Sequence, residues 1–201
     1  MSQKLRIYLT GVGGQGTLTA TTLLTRIILD QNLPVVAGEI HGMAQRGGVV
    51  ESTILIGGWQ SPSIQLGEVD ILLGFEPLET LRGLAYLRTG GAVFSSTEFT
   101  PPPSVSAGKA VLPPMESIQK SVAEVAEKAW FFPIKTIGLQ AGSQQSGNTA
   151  LIAAACASGL IPVSIEALEA GIRKYMPAKL VEVNLKAVAL GVEALHTTGK
   201  H

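Results

Sequence analysis

Apolar residues arrive along this chain in short blocks closed by glycine or proline, the pattern of strands alternating with helices. Leu5 to Thr10 (LRIYLT) is an apolar run ended by glycines and predicts a buried strand. A helix is expected from Gln15 to Leu29, with Leu18, Thr22, Thr25 and Leu29 on one face. Asn32 and Pro34 end it, and PVVAGE (34–39) predicts a second strand. Together they read as a βαβ unit with a glycine turn in its first corner.

Further strands are expected at VVESTILIGG (49–58), VDILLGF (69–75) and GGAVFSS (90–96). The second is apolar throughout, as a central parallel strand must be. Pro77 stands where a helix begins, and Leu78, Leu81, Leu84 and Ala85 carry its period. TPPPSVSAGKAVLPP holds five prolines in 15 residues, which argues against a helix and for a surface connection with a short strand at KAVL. A polar-faced helix is expected over 118–128, a strand at FFPIKTI (131–137), and helices over about 147–158, 164–175 and 178–195. The alternation predicts one domain, residues 1–201, built as a Rossmann-like doubly wound α/β sheet. It is mostly parallel, with helices on both faces and a helical C-terminal third.

The last helix carries two apolar stripes, Val181-Leu185-Val188-Val192-Leu195 and Val183-Ala187-Leu190-Ala194. Together they exceed the arc one core needs. Two explanations fit: burial between the domain and a partner, or burial wholly within the domain.

Composition adds to that question. Charged residues make up 15% of the 201, against about 25% in an average soluble domain. Either a partner covers part of the surface or the core is large for the chain. Lys and Arg are scattered and the net charge is zero, so nothing points to nucleic acid. No apolar window reaches 18 residues, so no membrane span is expected. The N-terminus enters its first strand without a signal-peptide pattern, which predicts a cytoplasmic location. The single cysteine, Cys156, stands in a run of small residues and reads as a buried structural thiol. It excludes an internal disulfide or a four-cysteine centre, and His41, His196 and His201 have no metal-ligand spacing.

Two segments carry candidate chemistry. In GVGGQG, Gly11, Gly13 and Gly16 match the G-x-G-x-x-G spacing, with Gly14 and Gln15 between them. Such a turn directs backbone amides and the positive end of a helix dipole at an anion. Glu39, 23 residues past Gly16, stands close to where a ribose-binding carboxylate is expected, so a dinucleotide site is one reading. Close strand–helix packing without a ligand is another. A third follows from EIHGMAQRGG (39–48), which clusters His41, Gln45 and Arg46 among glycines, Gly47 included. That loop belongs to the same edge of the sheet, and Arg46 offers a permanently charged fork for a carboxylate or phosphate.

Both segments, together with DILLGFEPLETLRGLAYLRTGGAVFSS and GNTALIAAACASGLIPVSIEALEAGI, resemble the gamma subunits or domains of the 2-oxoacid:ferredoxin oxidoreductases. The likeness covers nearly the whole chain in the same order. HGMAQRGG is most similar to the small beta subunits of the indolepyruvate branch.

The resemblance implies a subunit of an enzyme that oxidatively decarboxylates a 2-oxoacid with coenzyme A, giving acyl-CoA, carbon dioxide and reduced ferredoxin. It implies that thiamine diphosphate, magnesium and iron–sulfur clusters lie on a larger partner subunit, and that ferredoxin is served through the complex. No cofactor is then expected on this chain alone, and no catalytic residue is assigned to it. GVGGQG and the HGMAQRGG loop are expected to form a rim at the subunit interface, with Gly11, Gly13, Gly14, Gln15, Gly16, Glu39, His41, Gln45, Arg46 and Gly47 as its residues. The isolated chain could pair with a second copy through its apolar last helix. The rivals are a free-standing NAD(P)- or flavin-linked oxidoreductase and a non-catalytic assembly module.

Overall fold

The computed structural model describes residues 4–13, 16–41 and 48–198. The strands are β1 (Leu5–Val12), β2 (Val35–His41), β3 (Val49–Ile56), β4 (Val69–Gly74), β5 (Leu87–Ser96) and β6 (Ala126–Phe132). The helices are α1 (Thr17–Asp30), α2 (Pro77–Gly83), α3 (Pro103–Ser106), α4 (Met115–Val125), α5 (Ile134–Ala141), α6 (Gly147–Ala157), α7 (Ile165–Tyr175) and α8 (Ala178–Thr198).

The strands form one sheet in the order β2-β3-β1-β4-β5-β6. β1, β4, β5 and β6 are parallel neighbours, whereas β3 is antiparallel to both β1 and β2. The expected βαβ unit is therefore split. β2 runs in the same sense as β1, but β3 lies between them. The reason is that only residues 42–48 separate β2 from β3, which pair antiparallel. A parallel neighbour would need a crossover of a dozen or more residues.

Strand alternation divides the core into two. Leu5, Ile7 and Leu9 of β1 join Ile54, Ile71, Leu73 and Phe94 on one face, under α1 and the C-terminal helices. Tyr8 joins Leu72, Leu87 and Val93 on the other, with Ile118 and Val122 of α4. Helix α6 is buried at every position from Gly147 to Cys156, which its Ala-rich sequence permits; its polar Asn148 and Thr149 stand in the first turn. Helix α8 closes over it. The buried line of α8 is Asn184, Ala187, Val188, Gly191 and Leu195, which runs between the two predicted stripes. The half-buried members of both stripes pack against the chain's own core.

Three local expectations change. The face of α1 bearing Leu18, Thr22, Thr25 and Leu29 is turned outward, with Leu29 exposed. The buried side is Ala20, Leu23, Leu24, Ile27 and Ile28. One turn of helix, α3, forms inside the proline-rich connection, because Pro103 occupies the first helical turn, where no amide hydrogen is required. The KAVL strand is not formed. FFPIKTI splits at Pro133, which ends β6 and stands immediately before α5. The preceding helix starts three residues earlier than expected and stops at Val125.

Candidate functional site

β1, β4, β5 and β6 all end at one edge of the sheet, and β2 ends there too. At such an edge open α/β sheets bind ligands. The glycine turn leaves β1 here. Gly11 pairs with Val50, and the Gly13 amide donates to the Gly48 carbonyl at 2.7 Å. Gly16 adopts a left-handed backbone, φ 85°, and stands immediately before α1, its carbonyl accepting from the Ala20 amide at 3.1 Å. Only glycine takes that conformation without steric cost.

The two candidate segments thus meet. Val50 pairs with Gly11 on one side and with His41 on the other. His41 is the last residue of β2, two strands from Gly11, or roughly 10 Å at ordinary strand spacing. Gly14, Gln15, Gln45, Arg46 and Gly47 lie outside the described residues. Glu39 is paired with Ser52, which is itself paired with Leu9. A dinucleotide site needs its carboxylate on the strand next to the glycine turn. Here that neighbour is the antiparallel β3, and Glu39 is one strand further out, so the fingerprint lacks its second half.

The rest of the edge is held by two carboxylates that the sequence reading passed over. Glu76, 1% exposed, caps α2: its Oε2 accepts from the Glu79 amide at 2.9 Å and its Oε1 from the Thr100 amide at 3.1 Å. Glu98 caps α5, accepting from the amides of Lys135 at 2.6 Å and Thr136 at 3.1 Å and from the Thr136 hydroxyl at 2.7 Å. Lys135 Nζ turns back to the Phe99 carbonyl at 2.6 Å and Thr100 Oγ1 at 2.7 Å. The positive ends of two helices are thereby neutralised by the chain itself. The residue before Pro77 was the available signal, since an acidic residue preceding an N1 proline is a helix start.

By contrast, the residues at the caps of α1 and α6, Gly16 and Ser146, give no side-chain bond to their helices. Two adjoining cavities lie beside these starts. One, of about 360 Å³, is lined by Phe75, Ile134, Lys135, Ser143, Gln145 and Asn148. The other, of about 120 Å³, has Gly16, Ser146, Thr149 and Asn184 in its wall and shares Ser143, Gln145 and Asn148 with the first. Asn148 approaches Gly16 so closely that a Cβ there would stand 3.4 Å from its Nδ2. The Thr149 hydroxyl donates to Asn184 Oδ1 at 2.6 Å, and Asn184 Nδ2 donates to the Leu180 carbonyl at 2.8 Å, which fixes this wall. The larger cavity is lined mainly by polar side chains and the smaller one also by Ala20, Met176, Leu180 and Val183; both lie at helix N-termini, where backbone amides favour an anionic group.

An iron–sulfur cluster does not fit this chain. Its one cysteine, Cys156, is 4% exposed inside α6, and burial pushes its thiol up to about 12. Among the described residues no group of three acidic, histidine or cysteine side chains could hold a metal ion. No helix among them is long and apolar enough to cross a membrane.

Comparison with known proteins places this arrangement. The family model described as pyruvate ferredoxin/flavodoxin oxidoreductase matches residues 6–194. The chain is 39% identical to the indolepyruvate oxidoreductase subunit IorB of Pyrococcus horikoshii, over 96% of each. It is 37% identical to the subunit of that name from Thermococcus kodakarensis, again over 96% of each. Among solved structures, the gamma subunit of a keto/oxoacid ferredoxin oxidoreductase from Geobacter sulfurreducens shares the fold. Its TM-score is 0.69 at 23% identity, covering 96% of this chain and 99% of that one.

Proposed function

The chain belongs to the pyruvate ferredoxin/flavodoxin oxidoreductase family. From that premise we propose that it is the small subunit of a cytoplasmic 2-oxoacid:ferredoxin oxidoreductase of the indolepyruvate branch. The observation that carries this reading is the end-to-end likeness to IorB, 39% identity with nothing substantial left over on either side. The complex oxidatively decarboxylates an aryl 2-oxoacid with coenzyme A and passes electrons to ferredoxin. Thiamine diphosphate with magnesium supplies the carbanion chemistry and iron–sulfur clusters the one-electron steps, both on the larger subunit.

This chain's part is positional. The bond between Gly13 and Gly48 ties the glycine turn to the end of the hairpin connection, so the two segments present one rim to the partner. The opening amides of α1 and the charge of Arg46 meet an anionic group of substrate or coenzyme A there. His41 and Gln45 serve as hydrogen-bonding neighbours. Gly13 itself orients the rim, since its amide is already used by Gly48.

Affinity purification of the chain from its own host tests the subunit reading. The expected eluate is brown and contains a larger chain, iron, sulfide and thiamine. A colourless chain that binds NADH at micromolar concentration overturns it. In the assembled enzyme, Arg46→Ala is expected to raise the KM for 2-oxoacid or coenzyme A roughly tenfold, the loss of one charge-assisted contact. Unchanged KM and turnover would reduce the rim to a docking surface.

A further inference from the structure

One segment of the sequence, GNTALI (147–152), opens α6 and stands outside the rim. The two adjoining cavities of the candidate site form one cleft, and Asn148, the second residue of α6, is in the wall of both. Asn148 is 8% exposed, in a helix otherwise built from Gly, Thr, Ala, Leu, Ile and Cys. A buried amide is costly to desolvate, and asparagine is a poor helix former, so this position serves something other than the stability of α6. Its side chain faces the glycine turn. Among the described residues, Asn148 Nδ2 is the atom that a Cβ at Gly16 would meet, at 3.4 Å.

The two sides of this contact differ in rigidity. Gly138 of α5 lies against the carbonyls of Ser143 and Gln144 and the Gly147 nitrogen, and Gly147 lies on the Ile134 carbonyl. A Cβ at either glycine would overlap backbone, so the start of α6 is clamped by main chain, which cannot rotate aside as a side chain can. One residue on, the Thr149 hydroxyl ties α6 to Asn184 of α8. Across the gap, the chain that enters α1 is rich in glycine, the residue with the widest choice of backbone conformations. Its first part is tied by the Gly13 amide to Gly48. At its other end Gly16 gives α1 no side-chain cap and faces Asn148.

We propose that Asn148 is a positioning residue for the glycine turn. Its side-chain amide, carried on the clamped start of α6, sets where Gly16 rests and so aims the opening amides of α1 at the anionic group that the rim meets. The proposal rests on the rim reading above and adds α6 to the elements that shape that site. Asn148 acts through Gly16 and makes no contact with the ligand itself. An amide both donates and accepts, which suits a stretch of backbone that offers both kinds of group. Aspartate has the same shape without the donor, and alanine has neither.

The test begins with backbone relaxation by NMR on the isolated full chain, its nitrogens isotope-labelled. In Asn148→Ala the order parameter of the Gly16 amide is expected to fall from a rigid value, about 0.85, to below about 0.6. Asn148→Asp should loosen Gly16 as well, while the amides of α6 stay rigid in both variants. A Gly16 amide as rigid as in the parent overturns the proposal. So does loosening that spreads along α6, because Asn148 would then be a packing residue of its own helix. In the assembled enzyme, Asn148→Ala is expected to raise the KM for 2-oxoacid or coenzyme A roughly tenfold with kcat held within about twofold. If Arg46→Ala raises KM and Asn148→Ala only lowers kcat, as a loss of folded enzyme would, the positioning role is overturned. If Arg46→Ala leaves KM and turnover unchanged, it is the rim reading that fails. The relaxation measurement, which needs neither partner nor substrate, then still decides whether Asn148 holds the turn.

Discussion

Gly191 of α8 lies directly on the backbone of Ala150 in α6, so that a methyl group added at Gly191 would overlap the Ala150 carbonyl. This contact sets how closely the outer helix approaches the buried one, and α6 in turn forms a wall of the cleft. Gly191→Ala gains helix propensity yet must push the two helices apart. The expected net loss is about 1–3 kcal/mol, the usual cost of overpacking. A thermal melt followed by circular dichroism checks it, with a fall of about 2–4 °C for each kcal/mol in a chain of this size. An unchanged melt would show that α8 shifts freely.

Glu98 accepts three hydrogen bonds at the start of α5. Glu98→Ala removes the cap and is expected to cost about 1–2 kcal/mol. Glu98→Gln keeps one acceptor and should lose less. Hydrogen exchange at Lys135 and Thr136 reports the effect directly: both amides should exchange faster in the Ala variant while those of α6 keep their protection.

Glu79 gives stability a pH dependence of definite sign. Burial raises its carboxyl above the ordinary glutamate range, and Arg82 opposes this only in part. The unfolded chain therefore releases this proton more readily, so ionisation favours unfolding. The contribution of Glu79 is complete below the ordinary glutamate value, about 4.3, and is lost as the pH climbs through the raised folded value. Glu79→Gln should raise the melting temperature of the isolated chain by a few degrees at pH 7, and the difference should close toward pH 4. A variant less stable at pH 7 would show that the bond to Arg82 outweighs burial.

Cys156 should be silent in the folded chain. Burial pushes its thiol up, so the reactive thiolate is scarce at pH 8. A disulfide exchange reagent is expected to label it after denaturation and not before. Labelling at the rate of a free thiol in native buffer would mean that α6 opens.

Much of this fold follows from local pattern. LRIYLT and VDILLGF are apolar runs closed by glycine and GGAVFSS is one led by it; each supplies a strand, the last beginning three residues earlier, at Leu87. β6 was harder to see. As an edge strand it carries exposed Glu127 and Lys128, whose charges suit an edge but imitate the continuation of a helix. The direction of β3 left no trace in its period-2 alternation, which is the same for either sense of pairing. Only the short link before it, residues 42–48, carried that information. The glycine turn of the candidate site was legible because φ > 0 demands glycine. Glu76 and Glu98 were less so, since a glutamate that caps a helix and one that faces solvent look alike in isolation.

The reversed β3 has a wider consequence. A hairpin link can lengthen, shorten or change its side chains without altering the order of the sheet, because its two strands remain paired over seven positions from Val35–Ile56 to His41–Val50. The frame on either side is fixed by that pairing, and the Gly13–Gly48 bond sets where the chain rejoins it. Under the proposed function, exchanging residues 42–47 between relatives that act on different 2-oxoacids is expected to carry the contact with substrate or partner along with it and to leave the order of the sheet unchanged.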